Sequence, residues 1–158
     1  MDLEVSLLFE RAENELLAAE VLKKLSEEAE AKQVLEVPAA TTFYSSVINH
    51  AYYAIFYSAK AYLTFKGFKL PEQGQHQAVY YEFKRFVQKG DLKKELLDLY
   101  DEVKTKAETL LSIIQEERGK REEYTYKTLP QANKEPAENS LKNARLFVSH
   151  MRRFSEKI

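Results

Sequence analysis

Apolar residues recur along this chain with the period of an α-helix almost throughout. Leu8, Ala12, Leu16, Ala19, Leu22 and Leu25 repeat at spacings of three and four, with Glu13, Glu20, Lys24 and Glu27 opposite them. That pattern predicts a first helix over residues 3–35. The segment EEAEAKQ within it is polar on all sides and is where the helix would fray or bend. Pro38 ends the element, and Thr41 or Thr42 can cap the next. The stretch 41–65, TTFYSSVINHAYYAIFYSAKAYLTF, is the most apolar and aromatic in the chain. Its small residues Ser46, Ala51, Ala54, Ser58 and Ala61 alternate with Val47, Ile48, Tyr52, Ile55, Phe56 and Tyr62. A helix apolar around most of its circumference sits at the centre of a domain. His50, Lys60 and the tyrosines argue against a membrane span.

Gly67 is placed to close this central helix. A third helix is predicted over residues 76–88, with Val79, Phe83, Phe86 and Val87 as its stripe. Gly90 closes it, and Asp91 is suited to cap a fourth. The fourth runs from Leu92 to at least Arg118 on a stripe of Leu96, Leu99, Val103, Ala107, Leu110, Leu111 and Ile114. The next positions on that stripe are Arg118, Arg121 and Tyr124, so a core-facing side ends in two cations and a phenol. A helix projecting past its bundle would look the same, and arginines near a helix C-terminus also suit its dipole. The segment TYKTLPQANKEP reads as a loop. A last helix follows over residues 137–155, with Leu141, Ala144, Phe147 or Val148, Met151 and Phe154 inward. The expectation is an all-α, up-and-down bundle of about five helices forming one domain over residues 1–158.

Four glycines and four prolines in 158 residues fit long helices better than a sheet rich in turns. The chain has no cysteine, which excludes disulfides and thiolate metal sites and suits a reducing cytoplasm. The acidic start, MDLEVSLLFERAEN, lacks the positive region of a signal peptide, so a cytoplasmic location is expected. Net charge is −1, yet residues 37–90 carry six bases against two acids, while residues 1–36 carry ten acids against four bases. A mildly basic middle can meet phosphates or simply be a solvated surface.

Enzyme signatures are sparse. The glycines are isolated, so there is no phosphate-binding loop. His50, His76 and His150 fall on three different helices, none with the spacing of a metal site, and no metal or cofactor is expected. Glu116 and Glu117 are adjacent and point apart on a helix. His50, inside a packed helix, needs a hydrogen-bond partner, which makes it a structural histidine before a catalytic one. Tyr52, Tyr53, Tyr57 and Tyr62 suit a helix with a buried side and a wet edge.

The order RAENELLAAEVL, SSVINHAYYAIFYSAKAYL, GQHQAVYYEF and ERGKREEYTY resembles the HEPN (higher eukaryotes and prokaryotes nucleotide-binding) domain, in particular its small stand-alone prokaryotic branch. The resemblance spans about residues 11–155. It implies an all-α bundle, often a homodimer. Many members partner a minimal nucleotidyltransferase in toxin–antitoxin pairs. Others are metal-independent RNases in which an Arg precedes a His by a short spacing. There the His serves the RNA 2′-OH as general acid or base and the Arg holds phosphate. This sequence departs from that motif. The positions where a His would follow Arg118 are Glu123, Tyr124 and Thr125, and after Arg121 they are Tyr126, Lys127 and Thr128. An unperturbed tyrosine titrates near 10 and is a poor shuttle at neutral pH. Arg145 and His150 match the spacing literally, but five residues along a helix set their side chains about 140° apart.

Three functions stay open. The first is a HEPN-type protein that binds a nucleotide, RNA or a nucleotidyltransferase without the Arg–His RNase site. It would use Arg118, Arg121, Tyr124 and Tyr126, with Tyr53 beside His50 and Tyr57 on the facing wall. The second is an RNase toxin with a rearranged site, its catalytic groups being Arg121 and His50, or His150 in place of His50. The third is a dimerising adaptor with no ligand.

Overall fold

The computed structural model describes residues 2–116 and 134–156. Six helices account for most of them: α1 (Leu3–Glu27), α2 (Ala29–Val34), α3 (Tyr44–Phe65), α4 (Gln75–Gln88), α5 (Lys94–Glu116) and α6 (Lys134–Glu156). No strand occurs among the described residues, and no helix there is long and apolar enough to cross a membrane.

The helix expected over residues 3–35 is two helices. Glu28 adopts an extended conformation (φ −97°, ψ 119°) and separates α1 from α2. The break falls in the all-polar EEAEAKQ segment, which has little apolar surface to bury and so gains nothing from continuing straight. Capping also differs from expectation. Neither Thr41 nor Thr42 caps α3. The N–H of Phe43, just ahead of the helix, donates to Ser26 Oγ at 2.7 Å, while Ser26 itself donates to the Leu22 carbonyl. A buried serine on α1 thus satisfies a donor at the start of α3. Nor does Asp91 cap α5, which begins at Lys94. The Asp91 N–H donates to the Phe86 carbonyl and Gly90 N–H to Val87, a Schellman closure of α4 with Gly90 at φ 86°. Gly67 closes α3 in the same way, as anticipated, with Phe68 N–H on the Leu63 carbonyl. Helix α6 starts before Ala137, at Lys134, with Pro136 in its first turn, where the missing N–H costs nothing.

Contacts fix the directions. Arg11 meets Tyr57, Glu15 meets His50 and Glu27 meets Tyr44, so α1 and α3 are antiparallel. Arg152 meets Glu13, Arg145 meets Glu20 and Lys23 meets Glu138, so α1 and α6 are antiparallel too. Helix α5 runs against α3 and α6: Tyr100 packs on Phe147, whereas Ala107 and Leu110 pack near Tyr44, Ile48 and Leu141. Four long helices alternate in direction, and α4 lies between α3 and α5. The main core gathers Phe9, Ala51, Ala54, Ile55, Leu63, Phe83, Leu96, Tyr100, Phe147 and Met151. Burying each of its large side chains contributes roughly 1.5–3 kcal/mol. Alanines on α3 let its neighbours approach closely. The central position expected for that helix is the one observed.

Candidate functional site

Helix α3 is buried at twelve of its positions and open along one stripe. Asn49, His50, Tyr53, Tyr57, Lys60 and Thr64 lie on it, at helical spacings, and all are at least partly accessible. Helix α1 borders one edge and the start of α4 the other.

On the α1 edge, His50 Nδ1 lies 2.5 Å from Glu15 Oε2. Glu15 is nine-tenths buried, and its other oxygen accepts from Arg11 Nε at 3.2 Å. Arg11 and His50 therefore both hold one buried carboxylate, as a buried charge requires. The Arg11 guanidinium also lies 5.1 Å from the Tyr57 ring centroid, within cation–π range. On the α4 edge, His76 stacks on Phe56 at 3.8 Å between centroids. Its Nδ1 lies 2.9 Å from the Tyr52 hydroxyl. Burial, with a smaller contribution from Lys60, lowers the His76 pKa below 6.5, while burial pushes Tyr52 up to about 12. Tyr52 therefore stays a phenol, hydrogen-bonded to an imidazole whose neutral form is favoured. Lys60 donates to Gln75 Oε1 at 2.8 Å. Tyr53 stands between the two edges, more than a third exposed, 6.4 Å from Tyr57 and 5.6 Å from His76 by ring centroids. The stripe is thus a row of aromatic faces with guanidinium, ammonium and imidazole groups beside them.

Of the residues expected to form a site, Tyr53, His50 and Tyr57 share this stripe. Arg118, Arg121, Tyr124 and Tyr126 lie outside the described residues, as does most of the loop that follows them. Arg145 and His150 are not brought together. Arg145 pairs with Glu20, and His150 Nδ1 lies 2.8 Å from the Leu146 carbonyl on its own helix. Arg11, Glu15 and His76 were missed as site residues. The four-residue spacing of Arg11 and Glu15 was a signal for their pairing, but their meeting with His50 depends on how α1 docks. A cavity of about 240 Å³ lies away from the stripe, between Glu27, Lys32 and Ala39. Its cation is already committed, since Lys32 Nζ donates to the Ala39 carbonyl at 2.6 Å. Among the described residues no group of His, Asp or Glu is arranged to hold a metal.

No curated protein and no solved structure matches this chain. The HEPN domain family profile matches residues 29–154, most of its length. An all-α bundle and that match agree, and the chain belongs to the HEPN domain family.

Proposed function

We propose that this HEPN protein binds a nucleotide or single-stranded RNA along the open stripe of α3, and that it does so without cutting it. The observation that carries this reading is the placement of the Arg11 guanidinium against Tyr57, whose ring lies 6.4 Å from the exposed ring of Tyr53. Bases stack on aromatic faces, and an adjacent guanidinium donates hydrogen bonds to phosphate. The described part of α5 ends on the side of the bundle where Ala107 and Leu110 meet Tyr44 and Val47. Arg118, Arg121, Tyr124 and Tyr126 follow in sequence and are proposed as further phosphate and base contacts. A minimal nucleotidyltransferase is the proposed protein partner, in a cytoplasmic pair. The test is fluorescence anisotropy of a short labelled RNA. Tyr53→Ala is expected to weaken binding roughly tenfold, from a stacking contribution of about 1–3 kcal/mol per base. Arg121→Ala is expected to weaken it and to flatten its salt dependence. RNA affinity unchanged in both variants would overturn the assignment.

One observation favours the alternative, a rearranged RNase. Glu15 orients His50 through Nδ1, as a carboxylate orients a general-base histidine. Among the described residues no hydrogen bond holds its Nε2. Cleavage of RNA that disappears in both His50→Ala and Arg121→Ala would replace the binding reading with this one.

A further inference from the structure

Two charged residues are buried among the described ones, Glu15 and Lys32. Glu15 is held by Arg11 and His50. Lys32, nine-tenths buried, has no such counterpart, since no carboxylate of the described residues pairs with it. The Ala39 carbonyl, at 2.6 Å, takes one of the three N–H groups of its ammonium and leaves two. A buried charge calls for a counter-charge as well as hydrogen bonds. Beside it is the cavity of about 240 Å³, lined by Glu27, Ala29, Lys32, Gln33, Val37 and Ala39. Glu27 is engaged elsewhere: its carboxylate pairs with Lys23 at 3.0 Å and accepts from the Tyr44 hydroxyl at 3.4 Å. The turn after α2 shapes the remaining wall. Val37 N–H donates to the Lys32 carbonyl at 2.8 Å, so the backbone and the side chain of Lys32 both tie residues 37–39 to α2.

We propose that this cavity binds a small aliphatic monocarboxylate, with the carboxylate on the Lys32 ammonium. The two remaining N–H groups of Lys32 donate to it in charge-assisted hydrogen bonds, and the anion supplies the counter-charge that the protein does not. Gln33, another lining residue, carries an amide donor for the second oxygen. Ala29, Val37 and Ala39 line the same cavity with apolar groups, which suits a short hydrocarbon chain. The volume is several times the share of one water, about 30 Å³, and has room for an acid of butyrate size. Phosphate fits worse. A single ammonium is a point charge without the fork of an arginine, and the Glu27 carboxylate at the same cavity opposes a dianion. The cavity lies away from the α3 stripe, so this site stands whether or not that stripe binds RNA.

Thermal unfolding and amide NMR of the full chain test it, with sodium butyrate as the probe and sodium chloride at equal ionic strength as the reference. Butyrate should raise the wild-type melting temperature saturably, by about 3–5 °C at about ten times its Kd. It should shift the amide resonances of residues 27–39 before others. Lys32→Met should abolish both responses. That change also removes the tie to Ala39, so Ala29→Leu serves as a second variant. It leaves the Lys32–Ala39 hydrogen bond in place and fills the cavity. Ala29→Leu should melt close to wild type and lose the butyrate response. A wild type with no saturable shift would overturn the proposal. So would a Lys32→Met or Ala29→Leu response equal to that of wild type, or inorganic phosphate stabilising the protein as strongly as butyrate does.

Discussion

Tyr100 is fully buried, in contact with Phe83 and Phe147, and its hydroxyl has no hydrogen-bond partner among the described residues. Its ring stabilises the core while its oxygen opposes it, since an unpartnered buried hydroxyl costs about 1–3 kcal/mol. Tyr100→Phe keeps the ring and removes the oxygen. It should raise stability by about 1 kcal/mol, seen as a melting temperature higher by about 2–4 °C. A lower melting temperature would mean that the hydroxyl is satisfied after all. Ser26 is the opposite case. It is buried, donates to Leu22 and accepts from Phe43, seventeen residues away. The sequence offered Thr41 and Thr42 as local caps, and the chain uses a tertiary one. Such a bond has no local signature, because it exists only once α1 and α3 have docked.

Element boundaries divide by whether their cause is local. Gly67 and Gly90 sit at positive φ in Schellman closures, and their roles were legible because only glycine takes that conformation freely. The end of α2 uses the same geometry without glycine. Glu36 sits at φ 58°, with Val37 N–H on the Lys32 carbonyl and Glu36 N–H on that of Gln33. A non-glycine residue there is strained by roughly 1 kcal/mol. Its side chain is exposed, so Glu36→Gly forfeits no packing and should stabilise the protein by about 0.5–1 kcal/mol in denaturant unfolding. Destabilisation would show instead that the Glu36 side chain has a role of its own. Helix α1 shows the limit of reading periodicity alone. The stripe through Leu8, Ala12, Leu16, Ala19 and Leu22 finds the inward side, with Ala12 and Ala19 fully buried, but omits Val5 and Phe9, which are buried beside them. With Leu3, Leu7 and Leu17 exposed on the other face, apolar spacing alone does not delimit which leucines are inside.

At the scale of the whole molecule, an all-α bundle around residues 41–65 was legible because length, helical spacing and the shortage of breakers all agree. The site was legible only along one helix. His50, Tyr53 and Tyr57 share a face by spacing alone, whereas Arg11, Glu15 and His76 join them through the packing of α1 and α4. That packing carries a pH dependence. His76 is wedged against Phe56, hydrogen-bonded to Tyr52 and flanked by Lys60 and Gln75 from α3 and α4, and these surroundings favour its neutral form. Its folded pKa therefore lies below the 6.5 of the unfolded chain. The unfolded state takes up the proton first, so this contribution is complete above 6.5 and is lost as the pH falls through that value towards the folded pKa. His76→Gln keeps a polar partner for Tyr52 and removes the titration. Wild type should exceed the variant in denaturant midpoint by more at about pH 8 than at about pH 5, the gap closing across the interval. A gap independent of pH would show that the imidazole is equally easy to protonate in both states, and that the contact between α4 and α3 does not depend on its charge.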